Sequence, residues 1–229
     1  MTGMDFTRVF LFAGHYGSGK TNLAVNWAMH LRETGKPVLV ADLDIVNPYF
    51  RAKDSQRVLS EHGIELIASP YANSNVDVPA LPQEAYAICD RRDAYAVVDV
   101  GGDERGATAL GRYVPAIVDE GAYAMWFIFN PFRPLTRTVP DAMQVLGEIE
   151  AMAGIRFTGI VNNANLGAET AAEDVLWGEG IARALAAEAG LPLVMTAARA
   201  ELAPRLEGKA KNLFPIRITQ RQDLPDLEG

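Results

Sequence analysis

Seven short stretches of the chain are apolar along their length rather than at alternate positions, and a longer stretch with helical spacing follows each one. The apolar runs fall at about 8–13 (RVFLFA), 37–42 (PVLVAD), 64–68 (IELIA), 95–100 (YAVVDV), 123–129 (YAMWFIF), 156–161 (RFTGIV) and 192–196 (PLVMT). A strand that is apolar on both faces belongs to a parallel sheet covered by helices on both sides. The stretches between them predict helices at about 19–34, 54–62, 82–90, 105–119, 138–153, 169–189 and 200–207. Gly35, Lys36 and Pro37 close the first helix, with glycine just past its end and proline behind it. No repeat, linker or low-complexity tract divides residues 1–229. The expectation is one α/β domain, a doubly wound and mostly parallel sheet whose ligands sit at the carboxyl ends of the strands.

The first strand runs into GHYGSGKT, Gly14 to Thr21, which fits the P-loop pattern G-x-x-x-x-G-K-[ST] with a strand before it and a helix after it. A glycine-rich turn opening a helix gathers backbone N–H groups into an anion-binding nest. Gly14, Tyr16, Gly17, Ser18, Gly19, Lys20, Thr21 and Asn22 are the expected lining of a phosphate cradle. Lys20 is expected to reach the β- and γ-phosphates, and the Thr21 hydroxyl to ligate Mg2+.

Three later strand ends add to this. VLVADLDIVNPYFR places Asp42 and Asp44 at the mouth of the same crevice. Asp44 is suited to orient or deprotonate an attacking water, and Asp42 to touch the water shell of the metal. YAVVDVGGDERGA places Asp99 after an apolar strand, as a Walker B residue holding Mg2+ through water, with Gly102 free to bring a backbone N–H to a γ-phosphate. GIVNNANLG ends a late strand in Asn162, whose amide both donates and accepts and so suits a purine edge. The guanine-reading pattern N-x-x-D has Asn165 where a carboxylate would accept two donors, which favours ATP over GTP.

Composition narrows the alternatives. The chain carries 21 basic and 29 acidic residues, a net charge of −8, which argues against non-specific nucleic-acid binding. Its most basic tract, Arg199 to Arg217, reads as a solvated face. The single cysteine, Cys89, forms no intramolecular disulfide and no iron–sulfur cluster within one chain, and its neighbours suggest a small buried hydrophobe. The N-terminus lacks the basic start and apolar run of a signal peptide, and the longest apolar run is too short to span a bilayer. A cytoplasmic protein without membrane attachment is expected.

Together the four elements resemble the deviant Walker A ATPases, a group within the SIMIBI-type P-loop proteins that holds the MinD/ParA partitioning proteins, the nitrogenase iron protein and the nickel-insertion ATPases of carbon monoxide dehydrogenase. The resemblance runs from Val9 to about Glu207. GHYGSGKT is similar to the group's K-G-G-x-G-K-T loop, DLD to its aspartate-rich strand end, DVGGD to its switch II and IVNN to its base-contacting asparagine. TAARAELAPRLE, which includes Ala198, resembles the segment that borders the base. The resemblance implies a nucleotide-dependent homodimer whose switches couple slow ATP hydrolysis to an unidentified protein client.

This sequence departs from the group in two places. The cluster cysteines of the iron protein and the C-x-C of the nickel-insertion ATPases are missing, so nitrogenase-type electron transfer is not expected. The group's signature lysine, which reaches across the dimer, is replaced by His15. Histidine is shorter and only partly charged at neutral pH, although a nearby phosphate favours the charged form. His15 is therefore either a substitute catalytic donor or an inert loop residue. Besides the switch ATPase, the residues allow a small-molecule phosphotransferase or ATP-dependent ligase on the same scaffold, or an ATP sensor that does not hydrolyse.

Overall fold

A computed structural model of the chain describes residues 7–43, 52–68, 87–101, 104–119 and 121–218. The strands among them are β1 (Val9–Ala13), β2 (Val38–Asp42), β3 (Glu65–Ala68), β4 (Tyr95–Asp99), β5 (Tyr123–Phe129), β6 (Gly159–Asn162), β7 (Leu193–Arg199) and β8 (Leu213–Ile216). The helices are α1 (Lys20–Arg32), α2 (Ala52–Glu61), α3 (Ala87–Asp90), α4 (Glu104–Gly111), α5 (Val114–Asp119), α6 (Val139–Ala153), α7 (Ala172–Ala189) and α8 (Ala203–Leu206). The strands form one sheet in the order β3-β2-β4-β1-β5-β6-β7-β8, and every described pairing is parallel.

The apolar runs are explained by two cores, one on each face. Val9, Leu11 and Ala13 of β1 face a core built with α4, α5, α6 and α7, including Leu110, Ile117, Leu146 and Leu185. Phe10 and Phe12 face the other way, onto Leu23, Trp27 and Leu31 of α1. Trp126 on β5 anchors that second face. Its ring meets Phe10, Phe12 and Trp27 edge-on, at centroid distances of 5.5, 5.4 and 4.9 Å, an arrangement that adds quadrupole attraction to the burial of apolar area.

Each of the seven expected strands is present, with the sixth beginning at Gly159 instead of Arg156. The eighth, β8, was not expected from the sequence. It is an edge strand, and its Pro215 pairs in register with Ala198, a placement open to proline because one side of an edge needs no donor. Residues 105–119 form two helices, α4 and α5, not one. Pro115 near the start of α5 cannot donate to the carbonyl of Gly111, which ends α4. Cys89 on α3 is only partly buried and packs at the margin of the core. The basic tract is tied down locally: Arg199 donates to the carbonyls of Gly167 and Ala168, and Arg205 pairs with Glu173. Among the described residues no helix is long and apolar enough to cross a membrane.

Candidate functional site

The loop between β1 and α1 lies at the carboxyl edge of the sheet, between the central strands β4 and β5. Gly14 and Gly19 are required there for different reasons. A Cβ on Gly14 would stand 2.6 Å from the Ile128 carbonyl oxygen on β5. Gly19 is the N-cap of α1, in the left-handed region at φ 88°, with no side-chain cap on the helix. The first N–H groups of a helix have no partner within it, so an uncapped start is open to an anion.

Lys20 is buried, and its ammonium folds back to donate to the His15 carbonyl at 3.3 Å. The same carbonyl accepts from the Ser18 N–H at 3.1 Å. His15 Nδ1 lies 3.0 Å from the Tyr16 carbonyl, which only an N–H can satisfy. Tyr16 itself is exposed. The Ser18 hydroxyl is buried with no hydrogen-bond partner among the described residues. A polar atom in that condition fits a loop whose full set of partners includes a ligand.

Thr21, on the first turn of α1, donates its hydroxyl to Asp99 Oδ2 at 2.5 Å. Asp99 is buried at the end of β4. Asp42 pairs with Asp99 in register, and Asp99 pairs with Phe12. Side chains in one row of a parallel sheet share a face, so both carboxylates stand on the α1 side with Thr21. Hydroxyl and carboxylate oxygens are the hard donors that Mg2+ takes, and Mg2+ is commonly held by one or two of them together with phosphate and water. Among the described residues no three His, Cys, Asp or Glu gather to hold an ion by themselves. Asp44 and Gly102 lie outside the described residues.

On the other flank, Asn162 is fully buried. Its amide donates to the Val175 carbonyl at 3.1 Å and toward Thr196 Oγ1 at 3.5 Å, and its carbonyl oxygen accepts from the Ala164 N–H at 3.2 Å. It therefore caps its own strand and braces α7 against β7. Ala198 is buried with Ala172, Val175 and Leu206 beneath α8. Asn22, on α1 beside Thr21, accepts through its carbonyl from the Asn26 amide at 2.7 Å.

Sequence reasoning passed over Asn163, Asn130 and Arg133, which touch or brace the loop between β1 and α1. Asn163 donates to the Ser18 carbonyl at 2.6 Å, Asn165 to the Asn163 carbonyl at 2.7 Å, and Asn130 to the Asn165 carbonyl at 3.1 Å. This chain of amides ties the loop to the ends of β5 and β6. Arg133, in the segment after β5, donates through Nε to the Gly17 carbonyl at 2.8 Å. The signal available for Arg133 was NPFRP, a proline-flanked arginine at the carboxyl end of a strand beside the first.

No family model matches the chain, and no curated protein matches it. Solved structures do. Cell division protein FtsY from Thermotoga maritima superposes with a TM-score of 0.56 at 19% identity, over 84% of this chain and 62% of that one. Chloroplast FtsY from Physcomitrella patens gives 0.58 at 16% identity, over 86% and 60%. The described residues share the fold of these FtsY structures. The signal recognition particle receptor FtsY from Elizabethkingia anophelis, solved in complex with GDP, gives 0.50 at 13% identity, over 83% and 57%. The chain thus spans about three fifths of the length of the solved structures it matches.

Proposed function

We propose that the chain is a Mg2+-dependent P-loop nucleoside triphosphatase that works as a nucleotide-driven switch on a protein client. The observation that carries this reading is the convergence of Lys20, Thr21, Asp99 and Asp42 on one loop, from two strand ends and a helix start. In this reading the phosphate chain lies in the turn from Gly14 to Asn22, and Lys20 exchanges the His15 carbonyl for the β- and γ-phosphates. Thr21 and Asp99 hold Mg2+, with Asp42 on its water shell. Bound there, Mg2+ neutralises charge on the β- and γ-phosphates. Asp44 orients the attacking water, and hydrolysis yields the nucleoside diphosphate and phosphate. Gly102 senses the γ-phosphate, and Asn162 and Ala198 border the base.

ATP is the preferred nucleotide in this proposal, since Asn165 stands where guanine recognition needs a carboxylate. GTP is the second reading, favoured by the likeness to an FtsY solved with GDP. Competition of ATP and GTP for one labelled nucleotide separates the two. The resemblance to the deviant Walker A group supports ATP-dependent dimerisation, with His15 in the signature position.

The test combines nucleotide binding with light-scattering mass for wild type and Lys20→Ala, measured apo, with ADP and with a non-hydrolysable ATP analogue. Wild type is expected to bind and to gain mass with the analogue, and Lys20→Ala to do neither. Identical behaviour of the two proteins would sink the proposal.

A further inference from the structure

The segment after β5 is locked before it reaches the phosphate loop. Asn130 is fully buried, and its side-chain oxygen accepts from the Phe132 N–H at 3.1 Å. The Arg133 N–H donates to the Asn130 carbonyl at 3.2 Å, and the Arg133 carbonyl accepts from the Thr136 N–H at 3.1 Å. The Thr136 hydroxyl closes on the Asn130 carbonyl at 2.8 Å. Pro134 follows and holds Arg133 extended, at φ −95° and ψ 139°. The arginine is thus presented by a backbone fixed on both sides.

Its side chain lies against the loop. Besides the 2.8 Å bond from Nε to the Gly17 carbonyl, a Cβ on Gly17 would stand 3.3 Å from Nε and 3.4 Å from Cζ. Among the described residues no carboxylate pairs with this guanidinium. Arginine offers five donors in a planar fork, and the Nε bond leaves the two terminal nitrogens for another acceptor. A permanent cation held on a phosphate loop, with no acidic partner among the described residues, is matched to an anion, and arginine binds phosphate in bidentate fashion.

We infer that Arg133 is a phosphate-contacting residue of this site, supplying in cis a fixed positive charge to the phosphate chain of a bound nucleotide. The inference rests on the P-loop reading proposed above. It gives the site a permanent cation from its own chain, where the signature position holds His15. Arg133 also explains a second feature of the loop. The buried Ser18 hydroxyl, one residue beyond Gly17, has no partner among the described residues, as expected if the two complete their bonding on the same anion.

The experiment measures equilibrium binding of a non-hydrolysable ATP analogue with Mg2+ to wild type, Lys20→Ala, Arg133→Ala and Arg133→Lys, together with melting of each apo protein. Arg133→Ala is expected to weaken binding by about tenfold or more, the size of one charge-assisted contact. Arg133→Lys keeps the charge but has neither the Nε bond nor the bidentate fork, so it is expected to bind between Arg133→Ala and wild type. Rising salt should weaken wild type more steeply than Arg133→Ala. If Arg133→Lys binds as poorly as Arg133→Ala, the arginine is only a clamp on the Gly17 carbonyl and the inference is overturned. It is also overturned if Arg133→Ala binds like wild type while Lys20→Ala does not. Wild type failing to bind nucleotide would overturn the P-loop reading itself, and this inference with it.

Discussion

Thr21 and Asp99 are separated by 78 positions in the chain, yet the threonine hydroxyl donates to the aspartate Oδ2 at 2.5 Å. The bond joins the first turn of α1 to the end of β4, so the hydroxyl and the carboxylate proposed to hold Mg2+ are held in contact by the fold itself. Preorganisation of that kind lowers the ordering cost of binding. Asp99→Ala should therefore leave nucleotide binding in EDTA little changed, and remove on the order of tenfold or more of the affinity that Mg2+ adds, the range seen when outer partners of a metal are lost. Titrations of labelled nucleotide with and without Mg2+ check this. An equal loss in EDTA would mean that Asp99 serves the loop's structure and not the ion.

Gly19 is the tightest point of the phosphate loop. It adopts φ 88°, and a Cβ there would collide with Nδ2 of Asn163, the atom that donates to the Ser18 carbonyl. Gly19→Ala thus combines a left-handed backbone, costing roughly 1–2 kcal/mol, with loss of a buried hydrogen bond worth about 1 kcal/mol. For a chain of this size, each kcal/mol lowers Tm by about 2–4 °C. Thermal melts should show a fall of about 4–12 °C. Asn163→Ala should show only the hydrogen-bond part, a fall of about 2–4 °C. Equal falls for the two would locate the damage in the amide chain and not in the glycine's backbone.

Much of this was legible because the signals were local. The P-loop is a contiguous pattern, and a strand that is apolar on both faces identifies a parallel sheet without knowledge of its neighbours. Asp42 and Asp99 were legible as strand-end residues, although their shared row depends on register, which no single strand reveals. β8 was not, since LFPI contains a proline and its place depends on Phe214 reaching Trp27 on α1, at 5.4 Å between ring centroids. Asn163 and Arg133 act on a loop over 110 positions away in the chain, and Asn130 acts on Asn165, 35 positions on, all through backbone carbonyls that carry no sequence signature. Asn162 carries an amide of the kind that can read a base, and folding gives that amide neighbours on α7 and β7.

Glu179 is a buried carboxylate on α7 with four donors around it. It accepts from Arg183 Nε at 2.9 Å and Nη2 at 2.5 Å, from the Thr196 hydroxyl at 2.7 Å and from the Lys211 N–H at 2.8 Å. Through Thr196 it reaches Asn162. Glu179→Ala removes the acceptor from all of them. Arg183 is more than half exposed and can turn to solvent, so the cost falls mainly on Thr196 and Lys211, at about 2–3 kcal/mol. Glu179→Gln, which retains one acceptor, should cost less. Urea unfolding checks both values. Equal stability of the alanine variant and wild type would show that water replaces the carboxylate without loss.

Asn26 couples α1 to the far edge of the sheet. Its amide nitrogen donates to the Arg217 carbonyl at 2.9 Å and to the Asn22 carbonyl at 2.7 Å, while its oxygen accepts from the Arg217 N–H at 2.9 Å. This is the pairing an additional strand would make, performed by one buried side chain at the end of β8. Arg217 is exposed, so its backbone can be rehydrated when the partner is lost, and Asn26→Ala should cost only about 1 kcal/mol overall. The local effect should be larger. Hydrogen–deuterium exchange across residues 213–217 should accelerate several-fold in Asn26→Ala, because edge backbone opens without global unfolding. Asn26→Asp keeps the acceptor for the Arg217 N–H but loses the donor, and it should fall between. Unchanged exchange in both variants would mean that β8 is held by the packing of Phe214 and Ile216 on the α1 face, and that Asn26 only follows it.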